Sequence, residues 1–283
     1  MALPEGFDLD EFVTGTLAED LGIGGDVTSC ATLSGDARFT AVMTCRESIV
    51  VAGLEIAEAI FKALDPQVAI EMLVSDGARG GSGTVLMRLD GSARAMLAAE
   101  RSALNTLQHL SGIATLTGRY VDAIAGTGAT VLDTRKTIPG LRVLEKYAAR
   151  MGGAQNHRMR LDDGVLIKDN HVAACGGVAE AVRRAKAAST GLQVQVEVDR
   201  LDQIEPALAA GADQLLFDNM PPATLREAVA LVGGRVPLEA SGGVTLETIR
   251  AIAETGVDFI SVGRITQSAP AADIGLDYSP QSR

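Results

Sequence analysis

The sequence lacks a basic excess, a cysteine framework and any long apolar run, and each lack removes a class of function. Formal net charge is −11 at pH 7, so the chain as a whole offers no broad cationic surface to nucleic acid or an anionic membrane. A local basic pocket is still open to it. There are three cysteines, Cys30, Cys45 and Cys175, with no C-x-x-C spacing among them. That fits a reducing compartment and no disulfide scaffold. Cys175 sits near a charged loop and is a candidate reactive thiol, although a small buried or loop residue is the better reading. No apolar stretch approaches the ~20 residues of a membrane span. The opening MALPEGFDLDEF has neither a basic nor an apolar leader region, so a cytoplasmic protein is expected. What is present is ordinary for a globular chain: 283 residues, 47% apolar and 22% charged, enough for one large domain or two modest ones.

The second half has a rhythm. Short β-rich runs at Val131–Asp133, Gly164–Asp169, Leu192–Val198, Gln214–Asp218, Val236–Ser241 and Asp258–Gly263 alternate with helical-period segments such as VAEAVRRAKAAS and TLETIRAIAETG. That alternation predicts βαβ units around a parallel sheet. Nearly every run ends in a charged or phosphate-friendly group: Asp133 then Arg135 and Lys136, Lys168, Glu197, Asp218, Glu239 then Ser241, and Ser261 then Gly263. A β/α-barrel would gather those ends on one rim, where an open doubly wound sheet would spread them along an edge. The barrel is therefore the favoured reading.

The first part differs. TAVMTCRESIVVAG, VAIEMLVSDG and TVLMRLDG look like strands, with a helix, LEIAEAIFKAL, between the first two. This predicts an α+β domain with an open, largely antiparallel sheet. A long helical stretch follows, its apolar face marked by Leu97, Leu104 and Leu107, with a break expected at Gly112. The expected domains are 1–110 (α+β, with the tail 267–283 as a candidate addition) and 111–266 (barrel).

From Asp133 to His171 the acidic background reverses: eight cationic side chains face five acids, and His157 and His171 are here too. Arg142, Lys146 and Arg150 fall at helical spacing around Glu145 and read as a solvated face. Arg135, Lys136, Arg158 and Lys168 follow or end strands or sit in the Gly-rich loop GGAQNHR, and converging cations suit a ligand with several anionic groups. Rim salt bridges are the plain alternative. Glu197 and Asp218, on the next two strands, are a weak signal for Mg²⁺ held with waters and substrate oxygens. Ser241-Gly242-Gly243, expected to open the helix TLETIRAIAETG, and Val262-Gly263-Arg264 one repeat later suit a phosphate. These residues alone reach as far as an enzyme acting on a phosphorylated sugar and a polyanionic partner.

The run DTRKTIPGLRVLEKYAARMGGAQNHRMRLDDGVLIKDNH resembles the signature region of the quinolinate phosphoribosyltransferase family. EDLGIGGDVTS, AERSALNTLQHLSGIATLT, VEVDRLDQIEPALAAGADQLLFDNM and LEASGGVTLETIRAIAETGVDFISVG extend the resemblance, in order, over essentially the whole chain. It implies an N-terminal open sandwich, a barrel of six or seven strands, and a homodimer whose active site the neighbouring subunit completes. It also implies a Mg²⁺-dependent transfer from phosphoribosyl pyrophosphate to quinolinate, releasing pyrophosphate and CO₂ and leaving nicotinate mononucleotide for NAD synthesis, without an organic cofactor. By the same resemblance Arg135, Lys136, His157 and Arg158, with Thr134, face the quinolinate carboxylates, and Arg101 reaches in from the partner. Lys168, Glu197 and Asp218 serve the phosphoribosyl and metal side, and with Lys136 form the expected catalytic set. Ser241, Gly242, Gly243, Val262, Gly263 and Arg264 serve the 5′-phosphate.

Departures are modest. Ile138 stands where a threonine is common, Asp162 where an aromatic is, and Arg264 and Gln267 where a small residue and a histidine are usual. Three other readings compete: a molybdate-associated paralogue, a nicotinate phosphoribosyltransferase, and a non-catalytic phosphate-binding barrel. The intact TRK, NHR and LIKDNH motifs weigh against the first, the short chain against the second, and the joint presence of Glu197, Asp218 and the cationic set against the third.

Overall fold

Each of the six apolar runs of the second half forms a strand in the computed structural model, which describes residues 3–188 and 190–280. In chain order the elements begin with α1 (Leu9–Leu21), α2 (Val27–Thr32), β1 (Arg38–Cys45), β2 (Ile49–Val50) and α3 (Leu54–Leu64). Next come β3 (Ala69–Met72), β4 (Arg79–Gly80), β5 (Val85–Ser92), α4 (Ala93–Ala123), β6 (Thr130–Leu132), α5 (Arg142–Met151) and β7 (Val165–Ile167). They continue with α6 (Asp169–Cys175), α7 (Val178–Ala187), β8 (Val194–Val198), α8 (Ile204–Ala209), β9 (Gln214–Asp218) and α9 (Pro222–Val232). The last are β10 (Leu238–Ser241), α10 (Ile249–Ala253), β11 (Phe259–Ser261), α11 (Arg264–Gln267) and β12 (Ile274–Pro280). Residue contacts divide the chain into two units: one takes the chain up to Leu116 with Val143–Gly152 and the segment from Ser268, the other Thr117–Arg142 with Gly153–Gln267.

The first unit holds an antiparallel sheet in the order β12-β1-β5-β3. Strand alternation puts Ala41, Met43 and Cys45 of β1 on the buried face, with Met43 opposite Met87 and Ala41 opposite Leu89 of β5. Helix α3 buries Leu54, Ile56, Ala57, Ile60 and Phe61, the i, i+3, i+4 stripe of an amphipathic helix. Each large apolar side chain buried this way contributes about 2 kcal/mol.

The expected break at Gly112 is absent, and α4 runs unbroken from Ala93 to Ala123. A Cβ at position 112 would stand 2.1 Å from the Pro270 carbonyl oxygen. Glycine is needed there for close approach of the C-terminal segment, and a long helix tolerates its cost of about 1 kcal/mol.

The solvated face expected of α5 is a second correction. Glu145 and Lys146 are both fully buried, and His109 Nε2 stands 2.9 Å from Glu145 Oε1. Arg150 is exposed, while Arg142 donates to Thr137 Oγ1 (3.0 Å) and to the Met159 carbonyl (3.2 Å), tying two loops together. Helical spacing shows which residues share a face and is silent on whether that face meets solvent. On the same helix the Tyr147 hydroxyl donates to Asp76 Oδ2 (2.7 Å), and the Asp76 carboxylate also accepts the N–H groups of Gly53 and Leu54 at the start of α3. Tyr147→Phe should therefore lower stability by about 2 kcal/mol. Urea unfolding followed by circular dichroism would measure this, and an unchanged midpoint would contradict it.

The second unit is a parallel sheet in the order β6-β11-β10-β9-β8-β7 with helices in the crossovers. Gln155 adds a one-residue parallel bridge to Leu132 outside β6. Among the described residues no ladder joins β6 to β7.

Candidate active site

Residues two apart on a strand share a face, and parallel pairing sets those faces side by side. Glu197 pairs with Leu216 and Leu216 with Glu239, while Ser241 pairs with Asp218. The strand ends of the second unit thus carry one polar layer, and a cavity of about 580 Å³ opens on it. Its lining comes from both edges of the sheet: Thr134, Arg135 and Lys136 after β6, and Leu166 and Lys168 from β7. Between them come Leu216, Asp218 and Asn219, then Glu239 and Ser241–Thr245, then Ser261, Gly263, Arg264 and Gln267, with His157 and Arg158 from the GGAQNHR loop.

The cup reverses the sign of the chain. Arg135, Lys136, Arg158, Lys168 and Arg264 face only Asp218 and Glu239 among its lining residues. Burial lowers the Arg158 pKa from its ordinary value, the nearby Arg135 lowers it further, and Asp163 opposes both. Two like charges held together in a partly desolvated site would be stabilised by an anion between them. The buried Arg135 Nε has no hydrogen-bond partner among the described residues.

Local hydrogen bonds explain why these side chains stand where they do. Asp133, fully buried at the end of β6, accepts from Asn156 Nδ2 and from the His157 backbone N–H (2.9 Å). Main-chain bonds from Asp133 N to Gln155 O (3.2 Å) and from Gln155 N to Val131 O (2.9 Å) fasten the same loop to the strand. Asp163 accepts the N–H groups of Met159 and Arg160, at 2.6 and 3.1 Å, closing the loop beyond. The Thr266 hydroxyl donates to the Lys136 carbonyl (2.8 Å). The Lys136 stem lies so close to Gly263 that a Cβ there would come 2.9 Å from its Cδ.

On the acidic side Lys168 Nζ donates to Glu197 Oε2 (3.0 Å) and Asn219 Nδ2 to Asp218 Oδ2 (2.7 Å). No group of three or more His, Cys, Asp or Glu suited to a metal occurs among the described residues.

Most of the expected site residues meet in this cup: Thr134, Arg135, Lys136, His157, Arg158, Lys168, Asp218, Ser241, Gly242, Gly243, Gly263 and Arg264. Glu197 lies outside the lining and touches it through Lys168, Val262 is buried beneath it, and Arg101 is an exposed residue of α4 in the first unit. The expected helix at Ser241-Gly242-Gly243 is a correction. Helix α10 begins only at Ile249 and has five residues, so the glycines form a loop of their own, with φ of 93° and 60° at Gly242 and Gly243. Sequence reasoning missed Asn219 and the roles of Asp133 and Glu239. The two acids were visible as strand ends, but their partners depend on register.

The sequence pattern described as "Quinolinate phosphoribosyl transferase, N-terminal domain" matches residues 26–111, and the one described as "Quinolinate phosphoribosyl transferase, C-terminal domain" matches residues 113–277. The chain is 46% identical over 266 residues to the nicotinate-nucleotide pyrophosphorylase [carboxylating] of Mycobacterium leprae, covering 92% of this chain and 94% of that one. It is 43% identical over 262 residues to the probable nicotinate-nucleotide pyrophosphorylase [carboxylating] of Bacillus subtilis, covering 92% and 90%. The crystal structure of NadC from Streptococcus pyogenes superposes with a TM-score of 0.95 at 36% identity over the whole of both chains. With both domain patterns matched along its length and such identity to full-length relatives, the chain belongs to the quinolinate phosphoribosyl transferase family.

Proposed function

We propose that this protein is a decarboxylating quinolinate phosphoribosyltransferase acting in NAD biosynthesis. The observation that carries this reading is the cationic cup, which gathers Arg135, Lys136, Arg158 and Lys168 in one cavity with the glycine loop at Gly242 and Gly243. Arg135, Arg158 and Lys136 hold the dicarboxylate, with Arg101 contributed by the partner of a homodimer. Ser241, Gly242, Gly243 and Gly263 present backbone N–H groups to the 5′-phosphate, and Arg264 adds a cation beside them.

The pyridine nitrogen attacks C1 of the ribosyl group as the C1–O bond to pyrophosphate breaks. The sugar passes through an oxocarbenium-like state that carboxylates near the ring favour. Holding nitrogen and C1 in line supplies much of the acceleration. The C2–carboxylate bond then breaks, its electron pair stays on C2 beside the cationic nitrogen, and a proton takes the place of CO₂. Glu197 and Asp218 are the residues that would hold Mg²⁺. Their carboxylate oxygens are of the type a hard cation takes, and waters and phosphate oxygens would complete its shell. When bound, it neutralises charge building on the departing pyrophosphate.

We also read the parallel sheet as a closed barrel and the first unit as an open sandwich. The strand order runs in one direction from β7 to β11 and sets β6 last, without the reversal of a doubly wound sheet, and Lys136 and Lys168 from opposite edges line one cup. We read the location as cytoplasmic, in keeping with three cysteines that lack any C-x-x-C spacing.

The test is an assay with phosphoribosyl pyrophosphate and Mg²⁺ that follows CO₂ and nicotinate mononucleotide together. Equal release of both with quinolinate and none with nicotinate is expected; turnover of nicotinate, or binding without turnover, overturns the reading. For the shared site, mixing inactive Arg101→Ala and Arg135→Ala subunits should restore about a quarter of wild-type activity through mixed dimers with one intact site. No recovery after subunit exchange would show that Arg101 does not act across the dimer.

A further inference from the structure

Arg142 is the first residue of α5, the wrong end of a helix for a cation. The unsatisfied N–H groups there make that end positive, so a guanidinium is disfavoured unless it finds acceptors of its own. It finds two, on different loops. Nε donates to Thr137 Oγ1 at 3.0 Å and Nη1 to the Met159 carbonyl at 3.2 Å. Thr137 lies two residues after Arg135, and Met159 follows Arg158 directly. One half-buried side chain thus joins the two segments that carry Arg135 and Arg158 into the cup.

Both ends of this tie are themselves fixed. The Thr137 N–H donates to the Arg135 carbonyl at 3.0 Å, closing a tight turn over Lys136. The Met159 N–H donates to Asp163 Oδ2 at 2.6 Å, so Met159 is held by its N–H and its carbonyl alike. For Arg135 the buried Nε has no hydrogen-bond partner among the described residues, and its guanidinium depends on the main chain that carries it. Arg135 and Arg158 also bring like charge into one cup, and their repulsion favours a wider spacing when no anion lies between them. A rigid tie between their loops opposes that spread.

We infer that Arg142 is a positioning residue for the dicarboxylate, fixing the spacing of Arg135 and Arg158 by holding Thr137 and Met159 on one planar fork. This rests on the function proposed above and adds to it a residue that does not line the cup. The role requires the fork rather than the charge, because both acceptors are neutral. Lysine keeps the charge, but its single ammonium on a flexible stem does not reproduce the two fixed directions.

Steady-state kinetics make the first test. Arg142→Met keeps the apolar stem and loses both bonds, so it should raise KM for quinolinate about tenfold while KM for phosphoribosyl pyrophosphate stays within about twofold. Arg142→Lys should recover only a minor part of that loss. Thr137→Val removes one acceptor and should raise KM for quinolinate about threefold, yet add nothing further in the Arg142→Met background. Equal rises in both constants would mean that Arg142 supports the fold alone, and full recovery in Arg142→Lys that its charge acts. Effects of Thr137→Val and Arg142→Met that multiply would mean that the two residues act separately. Each of these overturns the inference.

The second test needs no turnover. In the free protein, Arg142→Met should speed hydrogen exchange in peptides spanning 134–141 and 155–163 together, with 241–245 and 263–267 unchanged. Faster exchange in one loop only, or throughout the chain, overturns the tie. Should the wild-type protein not turn over quinolinate, the functional reading falls, and this comparison still decides whether Arg142 joins the loops.

Discussion

Gly242→Ala should lower kcat/KM for phosphoribosyl pyrophosphate by about a hundredfold or more while leaving quinolinate binding nearly intact. Gly242 has φ 93°, a region that strains any residue with a side chain, and its neighbours leave no room for one. A Cβ there would stand 2.2 Å from Asn219 Oδ1 and 2.9 Å from the Asn219 backbone nitrogen. Asn219 cannot simply move aside. It is itself in the left-handed region at φ 53°, its N–H donates to the Ser241 carbonyl at 2.9 Å, and its side-chain amide donates to Asp218. The loops after β9 and β10 are therefore interlocked at one contact, and opening it disturbs both the phosphate loop and Asp218. Gly243 is the internal control: its φ is 60°, and the nearest atom to its missing Cβ is 3.9 Å away. Gly243→Ala carries only backbone strain, of about 1 kcal/mol, and should be far milder. Steady-state kinetics on both variants, with thermal melts to check folding, make the comparison; equal effects would mean that strain alone, and not the Asn219 contact, governs this loop.

What could be read in advance divides along a physical line. The six parallel strands were legible because each is a short apolar run bounded by turn residues, and the cup was legible because charged residues recur at the ends of those runs. Such signals are local. Those that failed depend on what lies opposite. Gly112 reads as a helix break until Pro270 is found against it, and Lys146 reads as solvated until its side chain is found fully buried. Glu239 was visible as an acid at a strand end. That it collects Gln195 and Gln214 follows only from the register of β8, β9 and β10, which sets Gln195 beside Gln214 and Leu216 beside Glu239. The GGAQNHR loop was recognised as cationic, but its hold on β6 through Asp133 spans more than twenty residues of sequence.

Loss of the Arg158 side chain should be the most damaging single change on the dicarboxylate side, with kcat/KM for quinolinate falling by about a thousandfold in Arg158→Ala. The guanidinium is partly buried beside Arg135, with the ammonium groups of Lys136 and Lys168 in the same cup. In such a setting a planar fork can grip a carboxylate with two parallel bonds. Arg158→Lys keeps the charge and loses the fork, so it should fall between alanine and wild type. The same geometry predicts an unusual stability result. Without substrate, Arg158→Ala gives up the bond to the Gly164 carbonyl but also removes the repulsion with Arg135, so its melting temperature should lie close to that of the wild type. Quinolinate should raise the wild-type melting temperature, because it binds the folded state alone and relieves that repulsion, and should barely move that of Arg158→Ala. A variant that melts well below wild type yet is still stabilised by quinolinate would show that Arg158 supports the fold and that the dicarboxylate is held elsewhere.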